Sequence, residues 1–179
     1  MHQELSSPST WVGRFATLIP QGGEVLDLAC GNGRHARLLA GLGYRVEAVD
    51  RETAAFAALA SIQGIGVRAA DLETGPWPYA GRAFAGIVVS NYLFRPRLPD
   101  LLAMLADPGV LIYETFMIGN ERFGKPSNPD FLLQPQEMLG WAHENGLRVA
   151  AFEEGYVERP KPALVQRLCA VRGDLTAAL

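Results

Sequence analysis

The feature that most constrains this chain is alternation. Short apolar runs at residues 24–29, 44–49, 66–69, 85–90 and 109–115 read as strands, and stretches with helical spacing lie between them. Ala36, Leu39, Ala40 and Gly43 fall on one face, as do Ala55, Ala58, Leu59 and Ile62. Leu98, Leu101, Leu102 and Leu105 repeat at i, i+3, i+4 and i+7, the stripe of a buried helix. Trp11, Phe15 and Leu18 make a similar stripe near the start, and a later helix is predicted from about Pro135, with Met138, Leu139 and Ala142 inward. Strands joined through helices assemble by right-handed crossovers into a parallel sheet covered on both faces. The last two strands, 147–156 and 164–172, have only residues 157–163 between them, too few for a crossover helix. They are expected to pair antiparallel as a hairpin at the sheet edge.

Composition narrows the function classes. The 179 residues fit a single domain over 1–179, with no linker or repeat. Sixteen Lys and Arg against nineteen Asp and Glu give a net charge of −3, which does not suit bulk nucleic-acid binding. No apolar run approaches the ~20 residues of a membrane span, and the first residues lack a basic stretch followed by an apolar one, so a cytoplasmic protein with no membrane partner is expected. Cys30 and Cys169 are too few for a disulfide framework and have no metal-ligand spacing; both read as packed fillers, and no metal site is expected.

The most informative stretch is Val25-Leu26-Asp27-Leu28-Ala29-Cys30-Gly31-Asn32-Gly33-Arg34-His35-Ala36. An apolar strand runs into Gly-x-Gly and a helix follows at once, an arrangement that lets a ligand lie against backbone at a helix N-terminus. The second strand ends in Asp50, nineteen residues after Gly31, the spacing at which a carboxylate reaches both hydroxyls of a ribose. Asp27 and Asp71 add acidic groups at the same sheet end. Three carboxylates around one crevice repel a pyrophosphate and suit a nucleoside ligand carrying positive charge. S-adenosylmethionine, with a sulfonium, an ammonium and one carboxylate, fits better than NAD or FAD.

These residues resemble the class I S-adenosylmethionine-dependent methyltransferases over nearly the whole chain. The matching pieces are the glycine loop at 25–36, Val46-Glu47-Ala48-Val49-Asp50-Arg51, Ala70-Asp71-Leu72-Glu73, the fourth-strand stretch 84–91, and the turn at 107–111. Within that family the chain is similar to the small bacterial tellurite-resistance-like group, through Gly-Asn-Gly-Arg followed by Gly-Tyr-x-Val-x-x-x-Asp. Where many relatives carry Asp in the fourth-strand motif, this chain has Phe84-Ala85-Gly86. The resemblance implies a Rossmann-like α/β fold: a doubly wound, mostly parallel seven-stranded sheet with helices on both faces and a C-terminal antiparallel hairpin. It also implies that Gly31 and Gly33 line the methionine part of the cofactor and that Asp27 holds its ammonium with carbonyls near Ala29. Asp50 would bind the ribose, Arg51 lie beside the adenine, Asp71 accept from the adenine amine next to the Leu72 backbone, and Asn91 face the reactive end. Arg14 and Arg34 are each able to pair the cofactor carboxylate or to stand as surface charges. The product would be S-adenosylhomocysteine.

Methyl transfer is an in-line displacement, so alignment and exclusion of water matter more than a nucleophilic triad. Asn91 and Tyr92 are the candidates for positioning; no catalytic residue is assigned. On the acceptor side the candidates are Tyr92, Arg95, Glu114, Phe116, Asn120 and Lys125, with residues 116–135 as a substrate lid and 1–20 as a helix over the cofactor. The stretch Ser90-Asn91-Tyr92-Leu93-Phe94-Arg95-Pro96 lacks the paired prolines of nucleobase-amine methylation, which argues against DNA. His35 is expected to pack or cap the helix that follows it, and Glu153, Glu154, Glu158 and Arg159 to form a solvated hairpin edge. A small-molecule acceptor is the reading, in a monomer or homodimer. A non-catalytic binding module, an RNA methyltransferase with a partner and, last, an NAD-dependent oxidoreductase stand as alternatives.

Overall fold

The computed structural model describes residues 7–174. Twelve elements follow in the order α1 (Thr10–Phe15), β1 (Glu24–Leu28), α2 (Arg34–Gly41), β2 (Arg45–Asp50), α3 (Phe56–Ala60), β3 (Ile65–Ala69), β4 (Phe84–Ser90), α4 (Leu98–Ala103), β5 (Leu105–Phe116), α5 (Glu137–Glu144), β6 (Arg148–Val157) and β7 (Ala163–Arg172). They build one seven-stranded sheet in the order β3-β2-β1-β4-β5-β7-β6. The first five strands are parallel, and β7 runs antiparallel to both β5 and β6. All seven sequence-read strands are present. The hairpin lies at one end of the sheet as expected, with β6 as the edge strand and β7 inside it.

The two sheet faces carry separate cores, because side chains alternate along each strand. Val25, Val46, Val88 and Ile112 meet Trp11 and Phe15 of α1, Leu39 of α2 and Leu59 of α3. Leu26, Ile87, Leu111 and Leu168 meet Leu101 and Leu102 of α4 and Met138 and Trp141 of α5. The Leu98 stripe stops one position short of its predicted length: α4 ends at Ala103, and Leu105 already begins β5, buried against the same core. Of the expected N-terminal cover, residues 1–6 lie outside the described residues. What is described is a strap, residues 7–9, leading into the short α1.

The glycine loop has a packing function as well as a conformational one. Gly33 sits at φ +76° at the start of α2, and a Cβ there would press into the Leu59 side chain of α3. Gly33→Ala combines a left-handed residue, about 1–2 kcal/mol, with an overpacked core, about 1–3 kcal/mol. It should therefore lower unfolding free energy in urea by about 2–5 kcal/mol, whereas Gly31→Ala, with open space around its Cβ, should carry only the first part.

Candidate functional site

Two cavities open at the carboxyl ends of the parallel strands. The first, about 270 Å³, is lined by Ala29 after β1, Asp50 at the end of β2 with Arg51 and Glu52 after it, residues 70–73 after β3, and Asn91 and Tyr92 after β4. The second, about 550 Å³, lies between the strap, Arg34, the end of β5 and the β6–β7 connection. Among the described residues Asn91 alone lines both. The backbone is strained where they meet: Ala29 and Asn91 sit at φ 55° and 57°, a region that non-glycine residues rarely adopt.

The three carboxylates expected around one crevice turn out to be unlike one another. Asp50 lines the first cavity while its Oδ2 accepts from the Gly31 amide at 2.8 Å and its Oδ1 from the Glu52 amide at 2.9 Å. A carboxylate offers about four acceptor positions, so half of them remain for a ligand. Asp71 also lines the cavity, but it accepts from the Glu73 and Thr74 amides and the Thr74 hydroxyl, capping its own turn. Those bonds hold its pKa below the usual carboxylate range. Asp27 lies beneath the loop, 1% exposed and outside the lining of either cavity. Burial pushes its pKa up to about 7, against the opposing pull of the Ala36 amide and Arg34, and its Oδ2 has no hydrogen-bond partner among the described residues. Burial without a full set of partners favours the neutral, protonated form of this carboxyl.

Gly31 and Gly33 line neither cavity. One offers its amide to Asp50 and the other packs on Leu59, so both shape the loop from behind. Arg51, 65% exposed, and Leu72 flank the first cavity. Tyr92 faces this cavity, not the second; its hydroxyl is buried with no hydrogen-bond partner among the described residues, and its backbone carbonyl accepts from Tyr113.

On the second cavity a polar row crosses four strands at one level. Ser90, Glu114, Arg167 and Glu153 are register partners on β4, β5, β7 and β6. The Ser90 hydroxyl donates to Glu114 at 3.0 Å, and Glu114 pairs with Arg167 at 3.3 Å, which in turn reaches Glu153 at 3.5 Å. Arg34 joins the row through Ser90 at 3.1 Å and holds the strap through the Ser7 carbonyl at 3.3 Å. His35 holds the strap too, its Nε2 accepting from the Ser9 amide. Burial and the neighbouring Arg34 lower the His35 pKa to about 4, so the ring is neutral near pH 7.

Several acceptor-side candidates lie elsewhere. Glu114 and Phe116 line the second cavity, but Arg95, Asn120 and Lys125 do not. Arg95 is engaged by Glu137 at 2.7 and 2.8 Å and by the Asp130 and Leu132 carbonyls, a clamp that ties the 129–137 segment to the loop after β4. Asn120 is 2% exposed and joins the Leu164 amide to the Pro126 carbonyl. Lys125 is exposed on the loop tip. The segment expected as a lid is anchored: Met117 bridges Leu133, the Ile118 amide donates to the Leu133 carbonyl, and Leu132 and Leu133 are fully buried. Arg14 is also displaced; it is exposed and stacks over Phe15 at 4.9 Å, because the buried face of α1 is Trp11, Val12 and Phe15. The second cavity is instead walled by the β6–β7 connection, including Val157, Arg159 and Lys161; of these, the sequence reading set Arg159 aside as part of a solvated edge. Among the described residues no cluster of three metal-ligating side chains is found, and no helix is long and apolar enough to cross a membrane.

Residues 12–74 match the family model of the tellurite resistance protein TehB. A protein-L-isoaspartate O-methyltransferase of Chlorobaculum tepidum is 32% identical over 128 residues, covering 67% of this chain and 58% of that protein. TehB from Haemophilus influenzae superposes with a TM-score of 0.75 at 19% identity over 92% of this chain and 62% of its own. An S-adenosylmethionine-dependent methyltransferase from Methanosarcina mazei superposes with a TM-score of 0.71 at 12% identity over 94% and 99%. The chain thus spans about three fifths of the first two, and the third matches it end to end in fold.

The orphaned Asp27 carries a pH signature. Between about pH 4 and 7 the native protein keeps a proton there that the unfolded chain has lost, so this group makes stability fall as pH rises, by up to about 1.4 kcal/mol per unit. Asp27→Asn removes that slope. The unfolding free energy of the wild-type protein minus that of the variant should decline from pH 5 to pH 8; a pH-independent difference would place the Asp27 pKa near that of an ordinary carboxylate.

Proposed function

We propose that this chain, which has the class I S-adenosylmethionine-dependent methyltransferase fold and is TehB-like by sequence and structure, moves a methyl group from S-adenosylmethionine to a small-molecule acceptor. The observation that carries the reading is the pair of cavities meeting at Asn91, behind a glycine loop braced by Asp50. The first cavity is the proposed place of the adenosine, with Asp50 taking the ribose hydroxyls and Arg51 and Leu72 flanking the base. Asp71 keeps the adenine-side turn in shape and, with one acceptor position left over, remains the proposed partner of the adenine amine. The unpartnered oxygen of Asp27 fits an ammonium arriving through the loop, with the carbonyls near Ala29 as further acceptors. Arg34 fits the carboxylate, since it reaches the junction and forms no ion pair among the described residues.

When bound, S-adenosylmethionine supplies an activated methyl carbon. The protein's work is alignment and exclusion of water. Asn91 sits where the two cavities meet and so fixes the line between donor and acceptor. The strap, held by Arg34 and His35, and the β6–β7 connection wall the acceptor side from solvent. In-line displacement needs no covalent step on the enzyme, in keeping with a cavity whose one carboxylate among the described residues, Glu114, is already engaged by Ser90 and Arg167.

Calorimetric titration tests the assignment. S-adenosylhomocysteine should bind and NAD should not. Asp50→Asn keeps an acceptor for the Gly31 amide but loses the charge toward the ribose hydroxyls. It should weaken S-adenosylhomocysteine binding about thirty- to hundredfold, the difference between two charge-assisted and two neutral hydrogen bonds. Binding of NAD in place of S-adenosylhomocysteine, or unchanged affinity in the variant, would refute it.

A further inference from the structure

We propose that the acceptor is an organic anion with an apolar body, its charge held by Arg159 and Lys161 at the mouth of the second cavity. This rests on the reading that methyl transfer occurs at Asn91, and it adds the chemical class of the acceptor.

The charges lining the cavity do not cancel. Among the described residues the cavity has one carboxylate, Glu114, paired with Arg167, which leaves Arg34, Arg159 and Lys161 as cations without an ion pair there. Arg34 is half-buried and bonded to Ser90, beside Asn91, where the cofactor carboxylate is proposed. Arg159 and Lys161 lie at the opposite end, on the connection between β6 and β7, exposed and facing the same space. Lys161 stands over the Phe116 ring at 6.0 Å, so its ammonium is kept near the cavity mouth. Glu158, beside them in sequence, is outside the lining. A concave surface lined with one sign of charge concentrates ligands of the other sign and repels its own. Amine and other cationic acceptors are therefore disfavoured.

The wall between the two ends is apolar. Phe116 and Ala163 are buried in a small cluster with Leu132, and Val157 and Val165 pack against it. Phe116, Val157, Ala163 and Val165 all line the cavity. Ala163 and Val165 share a side because residues two apart on a strand point the same way, and Val157 and Phe116 are their register partners on β6 and β5. Cations at one end, a hydrocarbon wall, and the reacting centre at Asn91 describe an elongated acceptor whose acidic group is distant from the methylated atom or at the end of an apolar body. At about 550 Å³ the cavity has the size of sites for small organic ligands. A bare inorganic oxyanion would satisfy the cations and leave the wall uncovered.

Three naphthalene probes of nearly equal shape separate these possibilities: 2-naphthylacetate, its primary amide and 2-(2-naphthyl)ethylamine. Each is titrated by calorimetry into the full chain, with and without saturating S-adenosylhomocysteine. The acid should bind at least about tenfold more tightly than the amide or the amine. Excess inorganic phosphate should not displace it. The double variant Arg159→Ala/Lys161→Ala should lose that preference while its S-adenosylhomocysteine affinity and melting temperature stay at wild-type values. Equal or tighter binding of the amide or amine, displacement by phosphate, a preference that survives in the variant, or no binding of the acid at millimolar concentration would each overturn the proposal. Because the anion preference is also read without cofactor, failure of S-adenosylhomocysteine to bind would count against the cofactor assignment separately.

Discussion

The site depends on one topological constraint: the sheet order reverses at β1, with β2 on one side and β4 on the other. The connections leaving these two strands diverge, and a crevice opens at their carboxyl ends. Here the chain turns sharply out of both strands, and Ala29 and Asn91 accept left-handed backbone at a cost of about 1–3 kcal/mol each. Hydrogen bonds hold the turns in place. The Cys30 amide donates to the Val49 carbonyl, the Gly31 amide to Asp50, and the Asn91 amide to the Glu114 carbonyl. Each bond reaches the neighbouring strand, so the strained residues are fixed by the sheet itself.

That arrangement gives the two sides of the crevice different chemistry. Toward β2 and β3 the lining is acidic, with Asp50, Glu52, Asp71 and Glu73, and Asp27 lies protonatable beneath it. Toward β5 and β7 the lining is cationic and apolar, and the row from Ser90 to Glu153 carries side-chain contacts across four strands to the edge. Arg34 touches this row and Arg34 also lowers the Asp27 pKa, so one side chain at the start of α2 connects the two halves. The ligands proposed here, a nucleoside with a cationic centre on the acidic side and an anion on the basic side, would complement this division of charge.

Much of this was legible in the sequence because it is local. The seven strands follow from apolar runs bounded by Gly, Pro and Asp, and the glycine loop with Asp50 follows from a fixed spacing along one βαβ unit. Ala29, Asp50, Arg51, Asp71, Leu72 and Asn91 line the first cavity because each lies at, or within three residues after, the carboxyl end of a parallel strand. The acceptor side was less legible. Arg95 and Lys125 look like ligand-binding cations in sequence, yet one is clamped by Glu137 and the other points out from a loop tip. Arg159, Lys161 and Arg167 come from a hairpin whose composition looks solvated; only the insertion of β7 beside β5 brings them over the crevice. The alternation of Ala163, Val165 and Arg167 on one face was the available signal, and it needed the pairing partner of β7 to be interpreted. Asp27 follows from the sequence as an acid near the end of β1, but its burial outside both cavities depends on how α2 packs, which spacing does not reveal.

The central claim is that a cationic ligand completes the buried Asp27, and proton uptake or release on binding measures this directly. Titrating S-adenosylhomocysteine at pH 6 in two buffers of different ionisation enthalpy counts the protons exchanged. With the free-state pKa near 7, Asp27 is mostly protonated at that pH, and an ammonium against it lowers the pKa. The account predicts release of close to one proton at pH 6, diminishing above pH 8 and absent in Asp27→Asn. Binding with no proton release at pH 6, or the same release in the variant, would contradict it.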